Sequence, residues 1–125
     1  MYELEEIDGT FAVCKLKKET EVKGNFFFYS VTDSEISLVC KSEDAPEDAL
    51  EKEDGRKALR FSGKLDFSLT GVLAEITKAL AEAKIGIFAV STYDTDYILV
   101  KETDFEKAKE SLPLCGYKIK NGQKG

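Results

Sequence analysis

Apolar residues fall in short, strand-length blocks along most of this chain, with helical spacing entering in the second half. Residues 11–17, 26–31, 36–40 and 58–62 read as strands. The polar turn residues Thr32-Asp33-Ser34-Glu35 join the second and third into a predicted hairpin. The stretch from Lys41 to Lys57 is charged. Within it, Ala45-Pro46-Glu47-Asp48-Ala49-Leu50 predicts a single helical turn with Pro near its start. From Val72 the period changes. Val72, Ile76, Leu80 and Ala83, with Leu73 and Ala79 beside them, mark one face of an amphipathic helix, and Glu75, Lys78, Glu82 and Lys84 fill the other. Two strands follow, 85–90 and 97–100, around Tyr93-Asp94-Thr95-Asp96. Thr103-Asp104-Phe105-Glu106 has the spacing of a capping box and predicts a second helix, with Phe105, Ala108 and Leu112 inward and Pro113 as its stop. Residues 115–119 read as a last strand and 121–125 as a polar tail.

From about Leu59 the predicted order is strand, helix, strand, strand, helix, strand. This is the ferredoxin-like βαββαβ unit, an antiparallel sheet with helices on one face, and the fold class is α+β. The first half reads as a reduced copy of the same unit. Its first helix is missing, since residues 18–24 are too few and too polar to form it. The expected organisation is a reduced unit over 1–57, a complete unit over 58–120 and a tail over 121–125, with strand 58–62 shared or contiguous between the units. Neither half is large enough to be comfortably stable alone, so a shared core is expected. Strand 85–90 is apolar on both faces, with Ile85, Ile87 and Ala89 one way and Phe88 and Val90 the other. Its second face therefore calls for cover from the N-terminal half or from a second copy.

Composition narrows the function. Apolar residues make up 42% of the chain, but no run is long enough to span a membrane. The N-terminus is acidic and lacks a signal-peptide pattern, so a cytoplasmic location is expected. A net charge of −6, with lysines interleaved among glutamates and only Arg56 and Arg60 as arginines, argues against nucleic acid. There is no histidine, which removes Ser-His and Cys-His catalysis and most zinc sites. Cys14, Cys40 and Cys115 are odd in number and form no C-x-x-C pair. They read as small core hydrophobes rather than a disulfide framework or metal site. No enzyme activity, cofactor or metal is expected.

Two segments carry candidate chemistry. Asp66-Phe67-Ser68-Leu69-Thr70-Gly71-Val72 leads from a strand to a helix N-terminus, where unpaired N–H groups and a partial positive charge suit a carboxylate. Gly71 would let a ligand approach the backbone, and Ser68 or Thr70 would cap the helix or bind the ligand. An ordinary capped turn explains the same residues. Ser91-Thr92-Tyr93-Asp94-Thr95-Asp96-Tyr97 places hydroxyls and two carboxylates between two strands. Asp94 and Asp96 there suit an ammonium or guanidinium, and a polar hairpin loop is the competing explanation.

Gly71-Val72-Leu73-Ala74-Glu75-Ile76 resembles the Gly-Val-Leu-x-x-Ile signature that opens the first helix of ACT domains. Residues 91–100, residues 66–71 and Ser34-Glu35-Ile36-Ser37-Leu38-Val39-Cys40 are similar to a subgroup of small tandem-ACT proteins that includes the CASTOR-type arginine sensors. The resemblance runs from about residue 11 to 116. It implies two ACT-type units, pairing into dimers, and amino-acid binding at an interface. Ser68, Thr70, Gly71 and Val72 would then hold the ligand's main-chain groups, with Asp66 in the same loop, and Asp96, Ser91 and Thr92 would lie near its amino group or side chain. The function expected is a regulatory module that binds a free amino acid and changes subunit arrangement. The alternative is a ligand-free homo-oligomeric scaffold that engages another protein. An acylphosphatase would need an arginine in a glycine-rich loop, and an RNA-recognition module would need the opposite charge.

Overall fold

The computed structural model describes residues 2–61, 72–112 and 117–120. Its elements run β1 (Tyr2–Leu16), β2 (Phe27–Val31), β3 (Ile36–Lys41), β4 (Glu51–Phe61), α1 (Val72–Glu82), β5 (Ile87–Ser91), β6 (Asp96–Lys101), α2 (Phe105–Ser111) and β7 (Tyr117–Lys120). This is a mixed α+β chain whose strand pairs are mostly antiparallel. The chain folds as two compact units. One, the inserted unit, is residues 9–56. The other, the C-terminal unit, comprises the described residues from Lys57 onward together with residues 2–8. Residues 2–8 thus join the C-terminal unit, not the N-terminal half in which the sequence reading placed them.

The reason lies in β1. It begins at Tyr2 rather than at residue 11, and its first residues pair in parallel with β7, Tyr2 opposite Tyr117 and Glu5 opposite Lys120. Leu4 is fully buried in the C-terminal unit's core. Glu5 accepts two hydrogen bonds on one oxygen from Arg60, at 3.1 Å from Nε and 2.6 Å from Nη2. A run of acidic residues hid this strand. β4 is also longer than expected. The charged stretch Glu51–Lys57 is strand, with residues 51–54 exposed, so it shows no apolar alternation. Both long strands carry a positive-φ glycine near the unit boundary, Gly9 at 94° and Gly55 at 78°. Only glycine adopts that conformation cheaply, and it interrupts a strand's regular geometry.

In the C-terminal unit, α1 and α2 cover one face of the sheet. Leu59 and Phe61 of β4 and Ile98 and Val100 of β6 pack there with Ile76 and Leu80 of α1 and Phe105, Ala108 and Leu112 from the α2 region. Each large apolar side chain fully buried this way stabilises the fold by about 1.5–3 kcal/mol. The predicted strand at 85–90 starts instead at Ile87, because Ile85 closes the helix. Lys84 adopts φ 63°. The Lys84 N–H donates to the Ala81 carbonyl and the Ile85 N–H to the Leu80 carbonyl, both at 2.9 Å. This is a Schellman motif, with Ile85 buried in the same cluster as Leu80. The predicted capping box does not form. Thr103 sits in a 3-10 turn, Glu102–Asp104, and the residue ahead of α2 is Asp104, with no side-chain cap bond. Leu99, on the sheet face away from the helices, is also fully buried.

In the inserted unit, β1 lies between β3 on one side and β4 on the other, and β2 pairs with the far edge of β3. Its core holds Ala12, Cys14, Leu16, Leu38 and Cys40, with Val22, Ala45 and Ala49 against it. The helical turn predicted at 45–50 appears earlier, as a 3-10 turn at Ser42–Asp44. Cys14 and Cys40 are free and buried. Burial, with Cys14 and Asp44 alongside, pushes the Cys40 thiol up to about 12, and burial raises that of Cys14. Cys115 and Pro113 lie outside the described residues.

Two predictions follow from these contacts. Lys84→Gly should raise stability by about 0.5–1 kcal/mol in urea unfolding, since glycine takes the left-handed position without strain. Above pH 9 the unfolded chain releases the Cys40 proton while the folded chain keeps it. Stability should therefore fall as pH rises from about 9 towards 12, and urea midpoints for Cys40→Ala should show a shallower alkaline slope than wild type.

Candidate functional site

The two predicted site segments meet the structure differently. Asp66, Ser68, Thr70 and Gly71 lie outside the described residues. Val72 is the first residue of α1, an 11-residue helix. The second segment is described in full and forms the turn between β5 and β6.

That turn is built by Thr92. Its N–H and its hydroxyl both donate to the Thr95 carbonyl, at 2.8 and 3.0 Å. The inserted unit contains the same turn. Thr32 donates through its N–H and its hydroxyl to the Glu35 carbonyl, at 3.0 and 3.1 Å. The flanking registers also agree. Phe27 faces Cys40 and Val31 faces Ile36 in one hairpin, and Ile87 faces Val100 and Ser91 faces Asp96 in the other. Every position is offset by sixty residues (27 to 87, 31 to 91, 36 to 96, 40 to 100). The hairpins thus form an internal repeat, and the Thr92 bonds are architectural because they occur in both copies.

The repeat also isolates what is particular to the second hairpin. The cross-strand pair next to the turn is Val31–Ile36 in the first copy and Ser91–Asp96 in the second. Ser91 Oγ donates to the Asp96 carboxylate, which holds that carboxylate in place while leaving it acceptor capacity. Asp94 is exposed and Asp96 half-buried. A serine–aspartate pair in a position filled by two β-branched hydrophobes in the twin is not needed to make the turn.

Thr95 was not among the predicted site residues, yet it orients the turn. Its hydroxyl donates to the Phe61 carbonyl at 3.2 Å. Phe61 ends β4, and the ten residues after it lead to α1. The Ser91–Asp96 turn is therefore tied to the point from which the first candidate segment departs. A hydroxyl in a turn gives no sequence signal for such a bond, which depends on β4 and β6 being neighbours. On the sheet face opposite the helices, Arg60 bridges Glu5 and stands 5.8 Å from the Tyr97 ring. Its hydrogen bonds to Tyr97 and to Glu5 strengthen its hold on its proton. Among the described residues no group of His, Cys, Asp or Glu side chains is placed to hold a metal ion. No helix among them is long and apolar enough to cross a membrane.

Comparison with known proteins identifies the lineage. The chain is similar to a protein from Agobacterium tumefaciens at 28% identity, covering 98% of this chain and 95% of that one with a TM-score of 0.88. It is similar to a protein of unknown function from Vibrio cholerae, described as a possible transport protein, at 17% identity, covering 91% and 89% with a TM-score of 0.70. It shares its fold with part of the aspartate kinase of Clostridium acetobutylicum, at 15% identity, 90% of this chain, 33% of that one and a TM-score of 0.63. No curated protein matches the sequence. The ACT domain family model matches residues 51–113, half of the chain, spanning β4, α1, β5, β6 and α2, and this protein belongs to the ACT domain family.

Proposed function

We propose that this protein is a non-catalytic regulatory module that binds a free amino acid. ACT domains are in general small-molecule binding modules of this regulatory kind. The observation that carries the reading is the bond from Thr95 to Phe61, which ties the Ser91–Asp96 pair to the end of β4, next in sequence to the loop that enters α1. In this reading the α1 N-terminus and the loop residues Asp66, Ser68, Thr70, Gly71 and Val72 receive the ligand's carboxylate and main-chain groups. Asp96, steadied by Ser91, receives its ammonium. Thr92 builds the turn, and Asp94 adds negative charge at its tip.

The finer parts of the proposal rest on the repeat. Two copies of one hairpin, sixty residues apart, support a tandem pair of ACT-type units in which the first is reduced, as in the subgroup that includes CASTOR-type sensors. Phe88, Val90 and Tyr97 surround Leu99 on the sheet face without helices and stay half-exposed, which favours a homodimer across that face. A ligand bridging two units would then act by population shift, limited to its differential affinity for the two arrangements. The aspartate kinase that shares this fold is described as an allosteric enzyme of amino-acid production. The lack of histidine supports a non-enzymatic role, and the sequence favours a cytoplasmic one. The same half-exposed apolar residues favour the second reading, a ligand-free scaffold, and ligand-dependent stability separates the two.

Thermal unfolding against each of the twenty amino acids tests this. A ligand at about 100 times its Kd stabilises the native state by about 2.7 kcal/mol, a rise on the order of 5–10 °C for a chain of this size. Asp96→Asn should abolish that rise, while Asp33→Asn in the twin turn should leave it. If none of the twenty shifts the transition, the scaffold reading replaces the sensor.

A further inference from the structure

β2 and β5 are the outer strands of the sheet order, so each presents a row of main-chain groups on a side where no described strand takes them up. On β2 the hairpin decides which groups these are. The Thr32 N–H donates to the Glu35 carbonyl, so Thr32 turns its main chain towards β3. Main-chain direction alternates along an antiparallel strand. Ser30 and Phe28 therefore turn the same way as Thr32, and Val31, Tyr29 and Phe27 turn their N–H and carbonyl groups outward.

Folded proteins blunt such an edge with a charged residue, a proline or a bulge. β2 has none of these. Its pairing with β3 is unbroken from Phe27 to Val31. From Gly24 to Thr32 there is neither a charge nor a proline, in a chain in which 34% of residues are charged. β5 is equally uncharged, and the side chains separate the two edges. Phe27, Tyr29 and Val31 share a face with their partners Cys40, Leu38 and Ile36, and the counterpart of that face in the C-terminal unit lies under α1 and α2. The inserted unit has no α-helix to cover it, and Phe27 and Val31 stay 40% and 50% exposed. Sixty residues on, Ile87 packs against the helix-covered core and position 91 is a serine. β5 thus hides at its edge what β2 leaves open.

We propose that β2 pairs with β2 of a second copy of this chain, antiparallel about a two-fold axis at Tyr29. In that register Phe27 lies opposite Val31 of the second copy, Tyr29 opposite Tyr29, and Val31 opposite Phe27. Every outward-facing residue thereby meets an outward-facing residue, and each such pair exchanges two main-chain hydrogen bonds. The exposed phenylalanine and valine cover each other, an aromatic against a β-branched side chain. The same axis carries the stretch before β2, with Lys23, towards the turn of the second copy, with Asp33 and Glu35. Charges at the two ends of the new ladder are therefore opposite in sign, which favours this register over its neighbours. A two-fold contact of this kind closes on itself instead of growing into a fibre. It lies wholly in the inserted unit, apart from the residues assigned to the amino acid and from the helix-free face of the C-terminal unit, so either reading can fail without the other.

Cysteine crosslinking of the full chain tests the register. In a Cys115→Ser background, Phe27→Cys mixed with Val31→Cys should form a disulfide-linked dimer under mild oxidation, because those positions stand directly opposite, with Cα atoms about 5.5 Å apart. Either variant alone should crosslink about tenfold less, since each position lies roughly 13 Å along the strand from its own counterpart, beyond the reach of a disulfide. Both side chains are partly exposed, so each variant should keep close to the wild-type urea midpoint. Val31→Lys places a charge on the edge and should weaken self-association about tenfold in sedimentation equilibrium. Ala89→Lys, at an exposed position of β5, should leave it unchanged. An absence of crosslinking in the mixture would overturn the proposal. So would crosslinking of either single variant to the extent seen in the mixture, or self-association on which Val31→Lys and Ala89→Lys act alike.

Discussion

A β-strand spends its backbone bonds on its two neighbours, and β1 changes both its neighbour and its hydrophobic core along its length. β1 gives Leu4 to the C-terminal unit and Ala12, Cys14 and Leu16 to the inserted one. Its partner changes with it, from β7 at residues 2–5 to β3 at residues 11–16. β4 reaches the core of the C-terminal unit only at its end, through Leu59 and Phe61. Gly9 and Gly55 sit close to where the change occurs, each with a backbone conformation that side chains resist. The chain order inserted unit within C-terminal unit depends on these two strands.

Once β4 and β6 are neighbours, the helical layer and the candidate site follow together. α1 and α2 bury the face that carries Leu59, Phe61, Ile98 and Val100. The Schellman cap at Lys84 then delivers the chain into β5 with Ile85 still in that core. The hairpin of β5 and β6 ends at the Thr95–Phe61 bond. A turn anchored at both its own hydrogen bonds and a neighbouring strand holds Ser91 and Asp96 with little freedom, and preorganisation of that kind lowers the entropy cost of holding a ligand.

The two hairpins show how one scaffold diverges. Both keep the threonine that builds the turn and the 3-10 turn that follows the second strand, at Ser42–Asp44 and Glu102–Asp104. The second carries the polar pair Ser91 and Asp96 beside its turn where the first carries Val31 and Ile36. In each unit the regular ladder is retained, and the differences fall where backbone pairing makes no demand on side-chain type.

The sequence by itself determined the α1 helix through its 3.6-residue period, the two hairpins through their polar turns, the α+β class and the family. It also identified Ser91, Thr92, Asp94 and Asp96 as residues of one turn. All of these are local, set by side chains within a few positions of one another. The length of β1 and β4 was decided only by the tertiary structure, because Glu3, Glu5 and Glu51–Asp54 carry no apolar alternation and are held by pairing with distant strands. So was the membership of residues 2–8, which rests on β7 and on an Arg60–Glu5 pair fifty-five residues apart. Thr103 and Glu106 fit a capping box by spacing, yet the chain arrives at α2 through a 3-10 turn that their spacing does not encode. The bond from Thr95 to Phe61 has the same status. It depends on β4 and β6 lying side by side, and pairing over such separations leaves no periodic trace in a single sequence.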